Sequence, residues 1–153
     1  MEIAAIACKA RLSRAAFVEI AQPMTKSSEK PEGESPRSIA IAGGALIAER
    51  SSQKFPIEDE GDPREGFILK FNGELRAFEN RCPHWEVDLD LGMGEPYLDD
   101  LEKIFCRNHA AIFDPLTGAC ESGPPLGRSI RRYPIRIEGD DLIVTLAPMD
   151  EDG

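Results

Sequence analysis

Histidine, tryptophan and positive charge are all scarce in this sequence of 153 residues. It holds two histidines and one tryptophan, and 18 Lys and Arg stand against 28 Asp and Glu, for a formal charge of −10. That deficit of cations excludes a nucleic-acid-binding face, which must displace counterions from phosphates. Any partner guided by charge should instead present Lys and Arg. Long apolar runs are lacking too. The longest, Ile39 to Ala48, spans ten residues before Glu49 and Arg50 close it. A bilayer crossing takes about 18–20 apolar residues, so no membrane span is expected. Residues 1–23 are Ala-rich, but Lys9, Arg11 and Arg14 interrupt any secretory apolar core. They read as a dispensable extension, or as an over-long start with Met24 as the true first residue.

The stretch from Thr25 to Ser38, TKSSEKPEGESPRS, has no large apolar residue and cannot bury enough surface to offset its ordering entropy. Residues 1–38 are therefore expected to be a disordered N-terminal extension, 39–147 a folded domain and 148–153 an acidic tail. Inside the domain the apolar period is two rather than 3.6. Phe67, Leu69 and Phe71 alternate with Ile68 and Lys70. Asn72-Gly73 then favours positive φ at both turn centres and leads to Leu75, Ala77 and Phe78, which predicts a hairpin. Further strands are predicted at 40–48, 53–57, 103–105, 111–113 and 118–121, with a closing pair at 133–137 and 142–146. Thirteen glycines and twelve prolines punctuate these runs. The pattern predicts an antiparallel all-β sandwich or barrel, with one short helical turn in 95–102.

Both histidines follow cysteines closely. Cys82-Pro83-His84 is C-x-H, and after a 21-residue spacer Cys106-Arg107-Asn108-His109 is C-x-x-H. Each pair lies just after a predicted strand, on a loop that can fold around a metal. Structural zinc usually takes two thiolates two to four residues apart, whereas here each loop offers one thiolate and one imidazole. Two thiolates and two imidazoles fit an iron–sulfur cluster in which two histidines replace two cysteines on one iron. A zinc site is the alternative, and it would make the chain a metal-stabilised binding module without redox chemistry.

With these residues in view, the chain resembles the Rieske-type [2Fe–2S] proteins over residues 40–147. The resemblance is carried by CPH, by CRNHAAIFDPLTG, by the later ESGPPLG and by the closing strand pair. It implies a β-sandwich with a two-loop cluster-binding subdomain holding one [2Fe–2S] cluster. It also implies that Cys82 and Cys106 bind one iron, and His84 and His109 the other through their outer nitrogens. Gly123, Pro124 and Pro125 are expected to pack over the cluster as the family's proline loop, or else to form an ordinary turn. The cytochrome-complex members carry a further cysteine in each loop, where this chain has Val87 and Asn108, and hydroxyl residues at the positions of Ala111 and Phe113. The chain therefore resembles the soluble, ferredoxin-like branch, and a low reduction potential is expected.

Function follows from what is left over. An oxygenase subunit needs a second iron held by two more histidines and a carboxylate, and no histidine remains. The expected role is a non-catalytic, soluble one-electron carrier between a flavin-containing reductase and a terminal oxygenase, with no small-molecule substrate. A Rieske-like small subunit of a nitrite reductase is the alternative. Cys8 and Cys120 are outside the motifs, and Cys120 is expected to be a small buried apolar residue. A reducing cytoplasm suits this cysteine use. Trp85 is expected to shield the cluster, touch a partner or sit in the core. The seven carboxylates between Glu86 and Glu102, with no Lys or Arg among them, are expected either to steer a basic partner or to be plain solvated surface.

Overall fold

Eleven strands in three antiparallel sheets make up the described part of the computed structural model, residues 35–58 and 61–147. One sheet orders β1 (Ser38–Ile41), β11 (Asp141–Thr145) and β10 (Ile135–Glu138). A second orders β2 (Ser51–Ile57), β3 (Arg64–Phe71), β4 (Glu74–Glu79) and β9 (Arg132–Tyr133). The third orders β5 (Tyr97–Leu98), β6 (Lys103–Cys106), β7 (Ala111–Phe113) and β8 (Cys120–Ser122). Most of the predicted extension, 1–34, and the tail, 148–153, lie outside the described residues. Among the described residues no helix is long and apolar enough to cross a membrane.

The hairpin of β3 and β4 is the wall between two cores. Asn72 and Gly73 take φ of 52° and 77°, the doubly left-handed turn that matches strand twist. On β3, Phe67 and Leu69 face one cluster with Phe78, Leu89, Ile104, Cys106, Phe113 and Ile130. Ile68, from the opposite pleat, joins Ile41, Phe55, Ile57, Ala77, Tyr133, Leu142 and Val144. Successive buried residues on β3 thus reflect burial on both faces, which the alternation rule for half-buried strands does not anticipate. Pro56 sits on β2, the edge of its sheet, where its missing N–H interrupts no ladder.

The strand expected over 133–137 divides around Pro134 into β9 and β10, which lie in different sheets, and three further predicted elements shift for local reasons. The strand expected over 40–48 ends at Ile41, because Gly43 turns left-handed (φ 66°) into a 3-10 turn at Gly44–Leu46. A Cβ on Gly44 would lie 2.9 Å from the Leu142 Cβ, so this turn packs backbone directly on β11. The strand expected from 118 starts at Cys120, since Asp114 holds a turn by accepting from the Leu116 and Thr117 backbone N–H groups and the Thr117 hydroxyl. The helical turn expected in 95–102 shrinks to a 3-10 turn at Asp99–Leu101 behind the short β5.

Candidate metal centre

Both predicted loops leave the third sheet and the end of β4 on the same side. The first follows β4. Cys82 N–H donates to the Val87 carbonyl at 2.8 Å and Glu86 N–H to the Cys82 carbonyl at 2.9 Å, with Glu86 left-handed at φ 54°. This tight closure turns Cys82 inward, 2% exposed, and Trp85 outward, 63% exposed. The second loop is the four residues between Cys106 and Ala111, which pair directly across β6 and β7. Ala110 closes it at φ 55°. Arg107 N–H donates to the Leu89 carbonyl at 2.8 Å, so the two loops are joined through backbone.

The four donors sort into two pairs. Both thiols are buried among the apolar side chains. Burial pushes the Cys82 thiol up to about 11 even though the His84 and Trp85 backbone N–H groups point at its sulfur, and the neighbouring Cys106 thiol raises it further. A metal bound here must displace those protons, so loading and local folding are coupled. The imidazoles meet on the outer side. Their Nδ1 atoms lie 3.3 Å apart, with ring centroids 4.9 Å apart. It is thus the Nδ1 atoms that converge.

That spacing can be tested against metal chemistry. Donors about 2.0 Å from one tetrahedral metal are about 3.3 Å apart, so the two Nδ1 atoms fit one ion. Around a single zinc all four donors would lie within about 4 Å of one another. Among the described residues the only three donors converging within 4.8 Å are Glu65, Asp88 and Asp90. No three of the cysteine and histidine donors do so. Two separate pairs, one of sulfur and one of nitrogen, fit a two-iron cluster and do not fit one zinc.

The surrounding loops were only partly foreseen. The Gly123–Arg128 segment touches both ligand loops: Arg128 Nη1 donates to the Pro83 carbonyl at 2.8 Å. A Cβ on Gly123 would come within 2.7 Å of the Ala111 Cα, and Gly123 has φ 111°. Gly123→Ala therefore meets both backbone strain, of order 1–3 kcal/mol, and a backbone clash. The expected result is a thermal transition lower by several degrees and faster loss of iron, read by melting and by colour. Trp85 is not core. It stacks on His84 with centroids 5.5 Å apart and stands edge-on to His109 at 4.6 Å.

A buried polar network behind the first loop was missed altogether. Asp90 is 0% exposed. It accepts from Asn80 Nδ2 at 3.0 Å and from Lys54 Nζ at 2.9 Å. Asn80 Oδ1 accepts the Leu89 N–H at 3.1 Å, and Lys54 also reaches Glu65 at 2.9 Å. The carboxylates of this group are therefore bridged by an ammonium. No local sequence signal links Lys54 to Asp90. The acidic run is correspondingly dismantled: Asp90 is interior, and Asp99 and Glu102 both pair with Arg50. The latter two flank the start of β6, at the opposite end of that strand from Cys106.

An all-β scaffold presenting a buried thiol pair and an outer imidazole pair on two loops defines an iron–sulfur protein of the electron-transfer class. The chain belongs to the Rieske [2Fe–2S] domain family, which matches residues 21–134, and it carries one [2Fe–2S] cluster. It is 36% identical over 83 residues to the biphenyl dioxygenase ferredoxin subunit of Pseudomonas sp. (strain KKS102), covering 54% of this chain and 72% of that one. It is 32% identical over 79 residues to the 3-phenylpropionate/cinnamic acid dioxygenase ferredoxin subunit of Escherichia coli (strain K12), covering 52% and 70%. Its fold matches the ferredoxin of carbazole 1,9a-dioxygenase from Nocardioides aromaticivorans IC177 with a TM-score of 0.51, at 24% identity over 71% of this chain and 96% of that one. A ferredoxin–oxygenase complex of carbazole 1,9a-dioxygenase matches with a TM-score of 0.58, at 17% identity over 74% and 97% of the chains.

Proposed function

We propose that this protein is a soluble one-electron carrier in which Cys82 and Cys106 hold one iron and His84 and His109 the other. In this role it accepts electrons from a flavin-containing reductase and passes them to a terminal oxygenase. The observation that carries the reading is the sorting of donors into a buried sulfur pair and an outer nitrogen pair with Nδ1 atoms 3.3 Å apart. Bound there, the cluster takes up and returns a single electron. The chain's own part is to exclude water from the sulfur side with Phe113, Ile104 and Leu89, all fully buried, and to bring the imidazole side to the surface. The relatives named above are ferredoxin subunits of dioxygenases, which favours the carrier over a nitrite reductase small subunit. No disulfide joins Cys82, Cys106 or Cys120, which suits the reducing cytoplasm. Titration with dithionite should consume one electron per protein and bleach the visible absorption. A colourless protein with one zinc and no iron would overturn the reading.

The potential should lie low in the range of about −150 to +300 mV open to Rieske centres, on the order of −100 to −150 mV. Ala111 and Phe113, both 0% exposed, offer no hydroxyl to the cluster, so the added electron is less stabilised. Charge contributes less than the acidic sequence suggests, because Asp90, Asp99 and Glu102 are each paired with a cation. Phe113→Tyr is expected to raise the midpoint by about 50–100 mV, the equivalent of one hydrogen bond to a charged group. Voltammetry of the two proteins measures this directly. An unchanged midpoint would remove hydrogen bonding at this position as the cause.

A further inference from the structure

Trp85 and Leu126 are 63% and 67% exposed, Trp85 against the paired imidazoles and Leu126 in the neighbouring loop. Trp85 covers the rings themselves. Leu126 lies in the loop that Arg128 ties to Pro83. Large apolar side chains held in the open at one place mark a contact surface, and Trp with Arg dominates the energetics of such contacts.

The charges around them run against the rest of the chain. The protein carries −10 overall, and its other exposed arginines are largely engaged with carboxylates, as Arg50, Arg131 and Arg136 are. Arg107 and Arg128 are exposed. Arg107 stands in the loop between Cys106 and His109, and Arg128 spends one N–H on the Pro83 carbonyl. Neither is in an ion pair among the described residues. Glu86 is the one carboxylate within the tight first loop. Of the other six in the run, Asp90 is buried on Lys54 with Asp88 and Glu65 close by, and Asp99 and Glu102 pair with Arg50. Glu95 accepts from the Ser52 hydroxyl, and Asp100 shares the turn of Asp99. An acidic protein thus presents a small basic, apolar face at its imidazoles.

Resting on the carrier reading above, we propose that this face receives a redox partner whose own surface carries carboxylates around an apolar recess. Trp85 and Leu126 fill the recess, while Arg107 and Arg128 meet the carboxylates. This reverses the polarity expected from composition, which pointed to a basic partner. Attraction is confined to the contact, because the body of the chain repels an acidic partner at long range. Contact therefore selects the partner by local fit, not by net charge.

Small ions can read this polarity without knowledge of the partner. Trp85 is the only tryptophan in the chain, so its fluorescence reports on this face alone. Iodide should quench it several-fold more efficiently than caesium, and the R107E/R128E double variant should reverse that order. In the loaded protein, one electron passes to either ferricyanide or hexaammineruthenium(III), reducing that ion by one charge. Wild type should favour the anion, and the double variant should shift the ratio of the two rates by about tenfold or more at low ionic strength. The effect should collapse near 1 M salt, where the Debye length falls to about 3 Å. Preference for caesium and for the ruthenium cation in wild type would overturn the proposal. So would concentration-dependent self-association abolished by Trp85→Ala, which would make a second copy the occupant. Iron and sulfide content, measured on the same samples, separates these outcomes from failure of the carrier reading: a protein without iron overturns that reading, whereas a fully loaded protein with the opposite ion preference overturns this proposal alone.

Discussion

Replacing any one of Cys82, His84, Cys106 or His109 should leave a protein without its cluster. On the proposed assignment, Cys82→Ser and Cys106→Ser would remove a thiolate from one iron, and His84→Ala and His109→Ala an imidazole from the other. Iron and acid-labile sulfide should fall from two each to near zero, and the visible absorption should vanish. Because the two thiols are buried in one core with Leu89, Ile104 and Phe113, the loss should also loosen the loops around them. Cys120 is the control. It is buried in the same cluster, but its Sγ donates to the Ser122 carbonyl at 3.3 Å and has no part in either pair. Cys120→Ser should keep full iron content and an unaltered spectrum. Loss of iron in that variant would show that the donor set is wrong.

The second large effect is expected far from any ligand. Lys54→Met leaves Asp90 ionised in the interior with only Asn80 and the Gly92 N–H against it. Breaking a buried pair in this way costs about 3–5 kcal/mol, or a fall in the melting temperature of roughly 10–20 °C. The K54M/D90N double variant, which leaves no unpaired charge in the interior and only the half-exposed Glu65 without its ammonium, should recover most of that loss. Since Asn80 and Leu89 tie this network to both ligand loops, iron should leave Lys54→Met faster on heating. The pH dependence has a definite sign. Burial alone would raise the Asp90 carboxyl, but hydrogen bonds from Asn80 and Lys54 outweigh it and hold the carboxyl low. Its contribution is complete above the unfolded value of about 3.9 and disappears as pH falls through the lower folded value. Wild type should therefore lose its advantage over Lys54→Met below about pH 4. A difference that persisted undiminished in acid would exclude the ion pair as its source.

The site was more legible in the sequence than the body that carries it. Cys82, His84, Cys106 and His109 stood out as candidates because scarce residue types stand at short, rigid spacings, and a loop of two or three residues fixes its own geometry. The Asn72-Gly73 hairpin was legible for the same reason. The strand expected over 40–48 failed because its apolar residues serve two elements, and only the contact of Gly44 with Leu142 decides where one ends. Lys54, Asn80 and Asp90 are joined across β2, β4 and the first loop, and no local pattern encodes that meeting. The acidic run misled for a related reason. Sequence proximity to the ligand loops gave all seven carboxylates one address, whereas the fold buries Asp90 and carries Asp99 and Glu102 to the far end of β6.

The central claim is that both imidazoles bind one iron and both thiolates the other. With two histidines in the whole chain, nitrogen-15 labelling of histidine marks the claimed ligands and nothing else. Electron–nuclear double resonance on the dithionite-reduced protein should then show two strongly coupled nitrogen-15 nuclei. Strong coupling to a single histidine in the wild-type protein, or to none, would contradict the assignment.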